Sequence, residues 1–159
     1  MPVLLVRLAT LWTALGLAGG LYYRELTKHH GLGGTRELAG TQLAVVHTHV
    51  LTLGTLVLLV LLVLVAQFPA LQDDRRFRWG VWTWQVGLGL TTLGMLVKGT
   101  MQVADVGGFD SPALAGVSGL GHMVLTGAFA LLFLGLGRVV RGGTRAATGD
   151  PTSVAHHVG

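Results

Sequence analysis

The chain has no cysteine among its 159 residues. Disulfides, zinc ribbons, thiolate-bound clusters and covalent CxxCH haem attachment are therefore excluded. Charge is also scarce, at 11% of residues, while half the chain is apolar and the mean hydropathy is +0.64. That balance does not suit a water-soluble domain. No P-loop, GxGxxG, HExxH, EF-hand or nucleophile elbow is present, which removes the usual signatures of nucleotide, zinc-protease, calcium and esterase chemistry. The basic excess, 11 Lys and Arg against 7 Asp and Glu, flanks hydrophobic blocks instead of forming a patch. This is how membrane proteins use cations, so nucleic acid is not the expected partner.

What the chain does have is long apolar blocks, and about 20 such residues cross a bilayer core. Four are legible: Val3 to Tyr23, Leu38 to Phe68, Trp79 to Met101 and Val117 to Val140. The first contains Arg7, lacks a clean A-x-A cleavage site and precedes three more, so it reads as a retained helix. Pro69 stops the second. The third opens with WGVWTW, whose Trp79, Trp82 and Trp84 suit an interfacial belt. The expected fold is an all-α integral membrane bundle of four transmembrane helices over residues 1–145. A disordered polar tail of small residues is expected over 146–159. Arg7, Arg75, Arg76, Arg78, Arg138, Arg141 and Arg145 lie on one side; Arg24, Lys28, Arg36 and Lys98 lie on the other. Seven against four places both termini in the cytoplasm of a multi-pass protein.

Four antiparallel spans bring the ends of the first and third to the side where the second and fourth begin. Tyr22, Tyr23, Arg24 and Glu25, then His47 and His49, then Lys98 and Gln102, then His122 all fall in that half, the outer one. The inner half, TLVLLVLLVLV and AFALLFLGL, carries no ionisable group. Ionisable residues within a membrane are costly and mark sites. Histidines also serve as polar glue between helices, and three in one half of a small bundle weigh against that reading for all of them.

Residues i and i+2 on a helix differ by about 200°, so His47 and His49 face opposite ways and cannot chelate one ion together. Without thiols, a borderline metal such as Cu or Zn must use imidazole, and zinc wants three or four converging ligands. A haem iron can take one imidazole from each side, which fits helices facing each other across a gap. Gly54, two turns from His47, and Gly119 and Gly121 beside His122 either leave room for a macrocycle or mark close helix packing, as Gly16 and Gly20 do. Arg24, Lys28 and Lys98 are candidates for haem propionates; Lys98, within a span, can instead snorkel to the headgroups. Met101 and Met123 read as apolar filling. His29, His30, His156 and His157 read as solvated loop and tail residues.

Together YYRELTK (22–28), HTHVLTLG (47–54), KGTMQV (98–103) and SGLGHMVLTG (118–127) resemble a family of small bacterial four-helix membrane proteins of unknown function, over most of residues 5–140. The resemblance implies the four-span fold and the bacterial inner membrane, and assigns no activity. The H-x-H on the second helix, followed by a small residue and an apolar run, also resembles haem–copper oxidase subunit I. That subunit is built of three arcs of four helices, and its H-x-H serves two haems on opposite faces. The second resemblance, confined to His47, His49 and their surroundings, implies one such arc and a homo-oligomer (three copies would rebuild the subunit as a homotrimer), with His47 of one protomer and His49 of the next on one haem b at each interface. With the one-sided histidine set, the candidate haem ligands are His47, His49 and His122. It does not extend to the copper centre, since no His-His pair stands in another span. The expected function is therefore a haem b membrane protein with an electron-transfer, redox-sensing or gas-sensing role. A small Cu, Zn or proton-handling protein and an accessory subunit with structural histidines are the other readings.

Overall fold

The structure is a computed structural model and describes residues 1–32 and 40–147. These residues are helical, without strands, and form four long helices: α1 (Pro2–His29), α2 (Gln42–Gln67), α3 (Arg75–Val103) and α4 (Pro112–Ala147). Arg36, His156 and His157 lie outside the described residues, as does the expected tail from residue 148 onward.

α1, α3 and α4 outrun their apolar blocks and α2 falls short of its own, because capping chemistry, not hydropathy, sets helix ends. α1 continues six residues past Tyr23 through good helix formers. It stops where Gly31 takes a positive φ of 68°, with the Leu32 N–H bonded to the Thr27 carbonyl at 3.0 Å. α2 begins at Gln42, four residues later than the block suggests, and the Gln102 side chain of α3 accepts from the Gln42 N–H at 2.9 Å. Phe68, held extended before Pro69, ends α2, and a short 3₁₀ turn, Pro69–Gln72, follows. Asp74 caps α3 by accepting from the Phe77 N–H at 2.9 Å, which starts the helix before its tryptophans. Ser111 and Pro112 likewise start α4 ahead of Val117.

The helices pack in chain order: α1 on α2, α2 on α3, and α3 most extensively on α4. α1 and α4 occupy the two ends of this row. Side chains bridge α1 and α3, with the Trp12 indole donating to Gln85 Oε1 at 2.6 Å and Tyr22 bonded to Thr100 at 3.2 Å. The α3–α4 seam is made by glycine. Gly80, Gly87 and Gly94 recur every seven residues and face Leu132, Leu125 and Ser118, while Gly121 of α4 faces Thr91. Small residues let backbones approach, which is how helices associate where no water drives them together.

α1, α2 and Pro112–Gly143 of α4 are long and apolar enough to cross a membrane; α3 is not among them. Five glycines, four threonines, Gln85, Lys98 and Gln102 lower its hydropathy, and arginines stand at its start. Trp79 and Trp82 are exposed, as a belt requires, but Trp84 is fully buried. The interfacial reading of Trp84 is thereby corrected: its indole donates at 3.0 Å to the Leu53 carbonyl. Leu53 lies in Val50–Leu56, where α2 widens into a π-helix directly after His49. π-turns loosen carbonyls from the regular ladder and gather at functional sites. Trp84→Phe should cost about 2 kcal/mol, from the orphaned Leu53 carbonyl and the smaller ring, read as a lower unfolding midpoint in detergent.

Candidate functional site

The H-x-H of α2 addresses two different helices. His47 faces α1: its Cβ lies 3.7 Å from where a side chain on Gly20 would begin. Its Nδ1 is buried with no hydrogen-bond partner among the described residues, and its Nε2 meets Thr48 Oγ1 at 3.3 Å. His49 faces α4. Its ring centroid lies 6.2 Å from that of His122, with the rings inclined at 64°. The structure thus brings two of the three predicted histidines together and leaves the third apart.

His122 is oriented by its own helix. Its Nδ1 lies 2.8 Å from the Ser118 carbonyl. A carbonyl only accepts, so Nδ1 carries the proton and the Nε2 lone pair is left for a ligand. The half-buried His49 also lines a hollow of about 330 Å³ with Val45, Thr48, Thr52 and Leu53. The ring separation suits two imidazoles sharing one ion, with a bond of about 2 Å on each side. Among the described residues, no group of three or more His, Asp or Glu converges as a metal cluster. Two imidazoles are fewer protein ligands than a tetrahedral zinc site takes, and as many histidines as would hold a bis-histidine haem.

The glycines divide. Gly54 seats the Trp12 side chain of α1, and Gly121 belongs to the seam with α3, so both serve packing. Gly119 and Gly116, by contrast, have nothing within 4 Å of where a side chain would begin, which leaves open space along α4 before His122. Lys98 pairs with Asp110, in the segment before α4, at 3.3 Å; the lysine is largely buried and the aspartate exposed. Arg24 and Glu25 make a 3.7 Å pair with both side chains mostly in solvent. Such exposed pairs contribute little. Glu25→Gln should shift stability by less than about 1 kcal/mol, checked by unfolding at low and high salt. Met101 lines a cleft of about 560 Å³ between α1 and α3, while Met123 is exposed.

Sequence reasoning missed the Ser118 carbonyl and Asp110. The first is a backbone atom and leaves no trace in residue identity. The second lies 12 positions from its lysine, across a turn.

The family profile described as a protein of unknown function (DUF2871) matches residues 4–139. No curated protein and no solved structure matches the chain. The profile covers all but the ends of the described helices, and the chain belongs to this family, DUF2871.

Proposed function

We propose that the protein is a multi-pass membrane haem b protein with an electron-transfer, redox-sensing or gas-sensing role. Its ligands would be His49 and His122, in the outer half of the bilayer. The observation that carries this reading is the facing pair of imidazoles, with His122 held in the tautomer that leaves Nε2 free. Haem, when bound, would supply a one-electron couple and affinity for a diatomic gas. The chain's own residues hold and orient. Ser118 fixes the His122 ring, Gly116 and Gly119 keep the adjacent surface open, and Arg24 and Lys98, paired here with Glu25 and Asp110, would exchange those carboxylates for propionates at the outer interface.

α3 would be the fourth span despite its lower hydropathy. It sits inside the row, and its polar groups are met by neighbours: Gln85 by Trp12, Gln102 by the Gln42 N–H, Lys98 by Asp110. Seven arginines on the side of the termini favour a cytoplasmic placement, in the bacterial inner membrane. The row of helices with unjoined ends supports the arc-like reading, and with it a homo-oligomer, a homotrimer in the oxidase-like case.

Absorption spectra of the detergent-purified protein, oxidised and dithionite-reduced, test the proposal, with haem quantified against protein. A sharp Soret band with reduced α and β bands is expected. Colourless protein from haem-replete cells would overturn it and turn attention to copper and zinc analysis.

A further inference from the structure

The end of the molecule opposite the histidines carries its own constellation, independent of the haem reading and resting on the proposed membrane placement, with α3 as a span and this end in the cytoplasm. Two hollows, of about 670 and 450 Å³, share Asp74, Arg75 and Arg138. The second runs along the α3–α4 seam. Arg75, Arg76 and Arg138 stand at its mouth, and Trp79, Thr83 and Leu131 line it further in. From Arg75 to Thr83 is about 12 Å of helix, so the groove is cationic at one end and largely apolar at the other. Its one carboxylate, Asp74, is already engaged by the Phe77 N–H at 2.9 Å and by Arg138 at 3.9 Å. Among the described residues, Arg75 and Arg76 have no carboxylate partner.

We infer that this groove binds one anionic phospholipid, its phosphate at the arginines and an acyl chain against Trp79 and Leu131. Three guanidiniums facing one engaged carboxylate favour an anionic headgroup over a zwitterionic one. The arginine fork suits phosphate oxygens, and basic pockets between spans on the cytoplasmic side hold such lipids. The occupant has to be amphipathic, because cation and hydrocarbon contacts lie in one continuous groove.

The test uses the full chain in neutral detergent, titrated separately with phosphatidylglycerol, phosphatidylcholine and inorganic phosphate, and read by thermal shift and by lipid retained in native mass spectrometry. Phosphatidylglycerol should bind and stabilise, and the other two should not. The R75Q/R76Q double variant should bind it about 25-fold more weakly, at about fivefold per arginine, while R7Q, on α1 and outside the groove, should not differ from wild type. T83W leaves every charge in place and blocks the acyl path, so it should also lose retained lipid. Equal stabilisation by phosphatidylcholine or by phosphate, or undiminished retention in R75Q/R76Q or T83W, would overturn the assignment. None of these readouts depends on haem, so failure here is distinguishable from failure of the proposed function.

Discussion

His49→Ala and His122→Ala should each abolish the low-spin haem spectrum. Loss of a direct ligand should exceed the roughly 10- to 100-fold that outer-shell partners of a metal carry. His47→Ala should keep the chromophore, because His47 lies on the α1 side of α2 and away from the facing pair. Pyridine haemochrome quantification against protein separates the three variants. Retained folding must be shown by circular dichroism, since a collapsed helix row would lose haem for a trivial reason. If H49A and H122A keep a full complement of haem, the assignment fails. If only H47A loses it, the ligands lie across a contact between protomers, as the oxidase-like reading of the H-x-H implies. If all three variants are colourless like the wild type but less stable, the histidines are polar glue between helices.

The second large effect is steric. A side chain on Gly121 would run into Thr91 and lie 3.0 Å from the Gly87 carbonyl, so backbone would have to move. Gly121→Val should destabilise by about 3 kcal/mol, at the upper end of what overpacking costs. It should also disturb the neighbouring His122. Gly119→Ala, only two residues away, meets nothing within 4 Å. It should be neutral or stabilise by up to about 1 kcal/mol, because alanine is the better helix former. Thermal unfolding of both variants in one detergent makes the comparison. Equal behaviour of the two would mean that α3 and α4 are not closely packed at Gly87, Thr91 and Gly121.

The sequence alone carried the parts of this protein that follow from period and polarity. Four apolar blocks with Pro69 between the second and third were enough to set helix number and order, and chain alternation was enough to place His47, His49, Lys98 and His122 towards one end. The 100° step of the α-helix was enough to send His47 and His49 to different neighbours, as their contacts with α1 and α4 bear out. Helix ends were less legible, because Asp74, Ser111 and Gly31 act through capping and left-handed backbone while hydropathy reports only what lipid or core would accept.

What period cannot supply is the rotation of one helix against the next. Residue spacing says which side chains share a face, and only packing says what that face meets. Tertiary structure alone decided that His49, and not His47, meets His122. It put Trp12 over Gly54 where a macrocycle was an equal expectation, and turned Trp84 from the belt into the core onto the Leu53 carbonyl. Each choice is a property of helices packed against one another, which no single helix encodes.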